Sequence, residues 1–321
     1  MILVCGETVL DMHRRAPAAA GADADAACFV ALPGGSPANT AVALARLGAE
    51  SGLCARLSSS TLGALIRGHL SANGVDLRHC VDAPEPASLA FVDLDVAGAA
   101  SYSFYVEGAA DWQWRLEELP ADLPDSVSVL HTGSIASMRE PGRAAILDWL
   151  RRERRGRAVS FDPNVRPALV GPRPDARHAV EQVVSTSDLV KASDEDVGWL
   201  YPATPVAQVA ARWHELGAAV VVVTSGADGA SAYTRATQVS CPARDVAVVD
   251  TVGAGDAFAA GLLHHLTREG LLDDLRAARL GADALRTALD YAGAVSALTC
   301  SRAGADPPTG AAVDALLAAG G

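Results

Sequence analysis

The chain has 321 residues, 50% of them hydrophobic and 20% charged, a globular composition with enough apolar material for a full core. Its formal net charge of -12 and pI near 5.0 exclude nucleic acid and anionic membrane surfaces as general partners, so any phosphate must be held by a local site. The single lysine, Lys191, lies in no Gly-x4-Gly-Lys-Ser/Thr string, which excludes a P-loop.

Residues 2–5 read as a buried parallel strand ending at Gly6. Asp11 follows in the loop beyond, where open α/β sheets place ligand residues, and it is either such a residue or a loop-solvating aspartate. Pro33-Gly34-Gly35-Ser36-Pro37-Ala38-Asn39 then opens a helix, with Ser36 the expected N-cap, Pro37 the first helical position and Gly48 the C-terminal stop. Capping accounts for the serine and proline but not for the two glycines or for Asn39 among alanines. An asparagine there offers paired donors and acceptors to a polyol. Residues 53–60 read as strand and loop. Residues 88–95 and 101–106 read as a hairpin across Ala97-Gly98, whose aromatic residues Phe104, Tyr105 and Trp112 either pack beneath it or face a ligand.

Four short β-rich runs, 127–130, 158–161, 187–190 and 218–223, alternate with helical stretches, the pattern of a mainly parallel sheet with helices on both faces. Their ends carry His131 to Ser134, then Asp162-Pro163-Asn164-Val165-Arg166, then Lys191 to Asp196, then Thr224-Ser225-Gly226. Singly these are turn and N-cap residues, the better reading for His131, Ser134 and Asp194. Together they line one sheet edge. Residues 245–249 alternate like a strand and run into Asp250-Thr251-Val252-Gly253-Ala254-Gly255-Asp256, after which 257–266 has helical spacing. Gly253, Ala254 and Gly255 thus fall at a helix N-terminus, where amides without intrahelical acceptors and a positive dipole can hold a phosphate. Asp256 beside such an anion site either stabilises the first helical turn or accepts the proton of an attacking hydroxyl.

A further alanine-rich helix is expected over 288–298, then a loop over 299–305, a stop at Pro307-Pro308 and a short terminal helix. Adjacent His264 and His265 point about 100° apart on a helix and cannot share one metal ion. The run Arg151, Arg152, Arg154, Arg155 reads as a solvated helix face. Six cysteines without Cys-x-x-Cys pairs point to reduced thiols, and an N-terminus without a basic region or long apolar segment points to a cytoplasmic protein.

The string 250–258 resembles the C-terminal signature of the PfkB, or ribokinase-like, sugar kinases, and 34–48 resembles their N-terminal signature in the Gly-Gly-x-Pro-Ala-Asn form of the fructokinases. The resemblance covers nearly the whole chain. It implies one α/β domain over 1–321, a doubly wound, mainly parallel sheet flanked by helices, with a small β lid from segments 11–32 and 86–110. The implied activity is ATP-dependent phosphorylation of a sugar, fructose first, on its 6-hydroxyl. By position in the motifs, Asp256 matches the catalytic base, Gly253, Ala254 and Gly255 the anion-holding turn, and Arg166 the arginine near the sugar and the transferring phosphate. Asp11, Gly34, Gly35, Asn39, Tyr105, Asp162 and Asn164 fall on the sugar side. Lys191, Ser193, Asp196, Thr224, Gly226 and Gly229 fall on the nucleotide side.

Ser193-x-x-Asp196 stands where the family has Asn-x-x-Glu, associated with water-mediated magnesium; both residues are shorter relatives. Asp250 and Val252, with the terminal loop, match a monovalent cation site, which implies potassium. Ser58-Ser59-Ser60 replaces a Gly-Asp-Asp pattern and removes two carboxylates. The implied partners are a small sugar and ATP with magnesium, neither nucleic acid nor membrane, and a second copy pairing through lid strands. Two rivals follow from the same residues: a kinase for 2-dehydro-3-deoxygluconate or ribose, because specificity lies in the lid, and a catalytically silent sugar or nucleotide sensor, against which the intact Asp256 argues.

Overall fold

The computed structural model describes residues 1–15, 27–94 and 100–319. The first third of the chain forms β1 (Ile2–Cys5), β2 (Val9–Arg15), β3 (Cys28–Gly34), α1 (Ser36–Arg46), β4 (Ser51–Cys54), β5 (Arg56–Ser58), α2 (Thr61–Ala72), β6 (Val81–Ala83), β7 (Ser88–Leu94) and β8 (Ala100–Tyr105). Alternation follows, with β9 (Val129–Gly133), α3 (Gly142–Glu153), β10 (Ala158–Asp162), α4 (Arg173–Val184), β11 (Leu189–Ser193), α5 (Asp194–Leu200), α6 (Val206–Leu216) and β12 (Val220–Thr224). The chain ends in β13 (Ala230–Tyr233), β14 (Gln238–Cys241), α7 (Ala254–Arg268), α8 (Leu272–Arg276), α9 (Ala282–Cys300) and α10 (Gly310–Ala319).

Strands such as Val220 to Val223 are apolar at every position because both faces of their sheet are covered. The sheet has eight strands in the order β14-β13-β12-β11-β10-β9-β1-β4, parallel except for the antiparallel pairings of β13 and β14. One apolar core lies between one face and α1, α7 and α9; a second lies under α3, α4 and α6 on the other. Trp112, Trp149 and Trp213 fill the second core, and each indole N–H finds an acceptor, the Val106 carbonyl, the Pro120 carbonyl and the Tyr201 hydroxyl, each at 2.9 Å. The sequence runs outward from β1 to β4 on one side and from β9 to β12 on the other. The crevice at this change of direction opens at the strand C-termini.

A four-stranded sheet, β3-β2-β7-β8, stands over that end. The expected hairpin is present as antiparallel β7 and β8. Its turn Ala97-Gly98 and most of the alanine-rich stretch 18–27 lie outside the described residues. Two local expectations are corrected. Residues 245–249 form no strand; Val249 instead donates its N–H to the Cys300 carbonyl at 2.8 Å, so the segment follows a helix end rather than a sheet. The α1 N-cap is Gly35, at φ 100, with no side-chain cap, and Ser36 is already helical. Ser58-Ser59-Ser60 brings order without carboxylates: Ser60 caps α2 by accepting the Gly63 N–H at 3.3 Å, and Ser58 donates to the Ser60 hydroxyl at 2.9 Å.

Two buried carboxylates fix the root of the small sheet, and one of them, Glu7, ties it to the segment after β9 of the large sheet. Asp111 accepts from the Thr8 N–H at 2.8 Å, the Thr8 hydroxyl at 3.2 Å and the Ser88 hydroxyl at 2.6 Å, joining the starts of β2 and β7. Glu7 accepts the Ala136 N–H at 3.0 Å, and burial pushes its carboxyl up to about 7 against the opposing pull of hydrogen bonds from Ser134 and Ala136.

A raised carboxyl pKa means that the folded chain holds this proton more tightly than the unfolded one. Glu7 therefore favours folding fully only below its ordinary value of 4.5, and the contribution is lost as pH rises through about 7. Glu7→Gln, which mimics the protonated acid, should gain on the wild type as pH rises, with a difference on the order of 3 kcal/mol between pH 4 and pH 8. Chemical unfolding at both pH values measures it; a pH-independent difference would refute the assignment.

Candidate active site

The C-terminal ends of the parallel strands bring charge together in a buried space. Asp162 closes β10 and Lys191 lies in β11, and the ammonium donates to the Asp162 carboxylate at 2.8 Å with both side chains almost wholly buried. Burial pushes Asp162 up to about 6; Lys191 opposes the rise, while Asp196 and Asp256 add to it. Burial works against the Lys191 charge, but Asp162, with Asp196 and Asp256 behind it, outweighs that and holds its pKa above the ordinary lysine range. Three carboxylates thus act on the chain's one lysine. Asp196 is fixed in turn. Its Oδ1 accepts the Val165 N–H at 2.7 Å and its Oδ2 the Ser193 N–H at 3.2 Å, while the Ser193 hydroxyl accepts the Asp196 N–H at 3.0 Å, a capping box at the start of α5.

Two helix starts meet beside this cluster. Gly253 takes the left-handed φ of 75 that turns the chain into α7, and a Cβ on it would meet Ala305 at 2.7 Å. A Cβ on Gly255 would sit 3.1 Å from the Lys191 Nζ, so the bare turn and the ammonium are neighbours. Asp256, 7% exposed, follows in the first turn. The Ser36 hydroxyl donates to its Oδ1 at 2.6 Å, and the Asn39 amide donates to its Oδ2 at 2.9 Å. Sequence reasoning missed this role for Ser36, having placed it as a cap. The available signal was spacing: residues three apart lie on one helix face, so Ser36 and Asn39 present two donors in one direction.

The other expected residues divide. Asp11 lies against Gly34, where a Cβ would be 2.6 Å from its Oδ2; burial raises its carboxyl pKa, and His13 and Arg166 oppose the rise. Arg166 is exposed, aligned by the Asn164 side-chain oxygen at 2.7 Å. Asp250 ties two loops, accepting from the Val252 N–H at 3.0 Å and the Gly304 N–H at 2.8 Å. Thr224 pairs in register with Ser193, and Gly226 and Gly229 shape the turn after β12, where the Ser225 N–H donates to the Gly229 carbonyl at 2.8 Å.

Tyr105 departs from expectation. Asp11 pairs with Ala90 and Ala90 with Phe104, so Phe104 shares the Asp11 face of the small sheet. One residue on, Tyr105 points to the opposite face, 64% exposed and edge-on to Phe91 at 5.3 Å. Strand alternation therefore removes Tyr105 from the face that carries Asp11. Among the described residues, no group of three or more His, Cys, Asp and Glu side chains is arranged to hold a metal ion, and no helix is long and apolar enough to cross a membrane.

The family model for pfkB family carbohydrate kinases matches residues 1–311. The chain is 38% identical over 290 residues to a fructokinase of Rhizobium leguminosarum bv. trifolii, covering 90% of this chain and 87% of that one. Fructokinase with bound ATP from Xylella fastidiosa has a similar structure, with TM-score 0.88 at 29% identity over 99% of this chain and 98% of the other. A fructokinase double mutant from Vibrio cholerae in fructose, ADP and potassium ion bound form gives TM-score 0.84 at 29% identity, covering 98% and 97%.

Removing Lys191 would leave Asp162 buried beside two other carboxylates. Lys191→Met should destabilise the fold by roughly 3 kcal/mol at pH 8, less at pH 5 where Asp162 can take up a proton, and Asp162→Asn in the same chain should recover most of the loss. Urea unfolding of the two single variants and the double variant closes the cycle. Additive losses in the double variant would show that the pair is not the source of the effect.

Proposed function

The chain belongs to the pfkB family of carbohydrate kinases and is an ATP-dependent sugar kinase, and from that premise we propose that it transfers the terminal phosphoryl group of ATP to the 6-hydroxyl of D-fructose. The observation that carries the mechanism is the Asp256 carboxylate, presented by Ser36 and Asn39 at the start of α7 beside the bare turn and Lys191. A sugar hydroxyl attacks well only when its proton has somewhere to go, and Asp256 is the acceptor. The amides of Gly253, Ala254 and Gly255 lack intrahelical acceptors, the Ala254 N–H meeting the Thr251 carbonyl at 3.2 Å, and they donate to the phosphoryl oxygens as charge builds on them. Lys191 adds a fixed positive charge on the same side. Its pairing with Asp162 keeps that charge in place before the nucleotide arrives.

Asp11, Asn39 and Asn164 supply polar groups to the sugar, and Gly34 and Gly35 let the β3–α1 turn approach it. Arg166, exposed and aligned by Asn164, is placed to meet an anion entering the crevice. Ser193, Thr224, Gly226 and Gly229 form the nucleotide side of the same sheet edge. Magnesium, when bound with ATP, neutralises phosphate charge. Asp196 fits an indirect role toward it, because its oxygens already accept backbone N–H groups yet keep lone pairs for water. Asp250 fits a monovalent cation as a charged group that joins the 250–253 turn to the 301–305 loop, with Val252 contributing backbone. The potassium-bound relative supports that reading. The same reading makes this a cytoplasmic enzyme, working where its nucleotide is made.

Fructose should be turned over at least as efficiently as any sugar in a coupled assay of ATP consumption that includes ribose and 2-dehydro-3-deoxygluconate. Preference for either rival reassigns the substrate; no turnover of any sugar leaves a sensor. Asp256→Asn should lower turnover roughly a hundredfold or more with sugar and ATP affinities little changed. A folded Asp256→Asn variant with near-normal turnover would sink the mechanism. With magnesium fixed, potassium should raise activity over sodium or a bulky organic cation, and Asp250→Asn should blunt that response; equal rates in all three buffers count against the cation site.

A further inference from the structure

We propose that Ser36 is a positioning residue for the carboxylate of Asp256, a role that rests on the reading of Asp256 as the general base. Ser36 is the first residue of α1, one place past the N-cap position from which serine ordinarily satisfies a helix amide. Here the cap is Gly35 without any side-chain bond, and the Ser36 hydroxyl reaches a residue 220 positions away, donating to Asp256 Oδ1 at 2.6 Å. Asn39, three residues along the same helix face, donates to Oδ2 at 2.9 Å.

The two contacts do different work. A carboxyl group turns freely about its last side-chain torsion, which has broad wells. One donor on each oxygen stops that rotation and sets the plane of the group. A carboxylate offers about four lone-pair directions, and two donors leave room for the proton of a sugar hydroxyl. Asn39 also has an amide oxygen with which to accept from the sugar, so its bond to Asp256 competes with binding. Ser36 carries a shorter group on the opposite side and is the more permanent of the two. The charged neighbours of Asp256 are Lys191 and, across it, Asp162 and Asp196; they set the field but, among the described residues, donate no hydrogen bond to it. Orientation therefore falls to α1.

The test compares Ser36→Ala with a matched pair, Ser36→Thr and Ser36→Val, which share a shape and differ in the hydroxyl. With fructose, or the best sugar of the panel, kcat should fall about tenfold in the Ala and Val variants, the KM for ATP should stay within about twofold, and Ser36→Thr should keep at least about half of wild-type kcat. Wild-type kcat in Ser36→Ala or Ser36→Val, with Asp256→Asn inactive, would overturn the proposal and leave the base intact. Unfolding of both Ala and Val variants while Thr folds would show the hydroxyl to be a structural tie between α1 and α7, and would overturn it too. Turnover surviving in Asp256→Asn removes the base itself, and this role with it.

Discussion

The site depends on one electrostatic constraint: a single ammonium must hold three carboxylates together in a space that water scarcely enters. Burying charge is costly, and mutual attraction repays the cost only where geometry is good and the remaining lone pairs find donors. Lys191 and Asp162 meet at 2.8 Å, each oxygen of Asp196 accepts one backbone amide, and Asp256 is held by side chains of a separate helix. Each acid has a different anchor. Because the anchors are strand ends and helix starts, the charge cluster also fixes the register of β10, β11, α1 and α7 relative to one another.

The same division of labour explains which parts were legible in the sequence. Parallel strands such as 220–223 announce themselves because two covered faces demand unbroken apolar runs, and the turn 250–256 stands out because glycines precede a helix. Local chemistry is less transparent. Ser36 and Pro37 carry every mark of a helix start, and capping explained them well enough to hide a contact across the molecule. Residues 245–249 alternate as a strand does, but Val249 bonds to the Cys300 carbonyl at the end of α9, and pattern cannot reveal where a backbone partner lies. Tyr105 and Phe104 are adjacent aromatics, and only pairing through β7 to Asp11 decides which of them faces the crevice.

The burial of Glu7 and Asp111 was invisible for another reason. Nothing in composition marks a carboxylate as buried, and each became so by satisfying amides and hydroxyls at the root of the small sheet. Bonds from Thr8 and Ser88 to a single carboxylate hold β2 and β7 at their starts, and Asp11 lies three residues further along β2. The position of Asp11 is thus set from the junction, not from the exposed tip of the sheet.

The bond between Ser36 and Asp256 has a consequence for how the protein is made. A ribosome that has delivered α1 and most of the central strands has still not delivered α7, so the nascent chain carries a helix whose polar face waits for a partner 220 residues downstream. Long-range contacts of this kind form late, because the intervening chain must first be ordered. The central strands and their helices have time to assemble during synthesis, whereas the site around Asp256 is completed only when the C-terminal part arrives. Any nascent chain halted before α7 is therefore without Asp256, however well its sheet has formed.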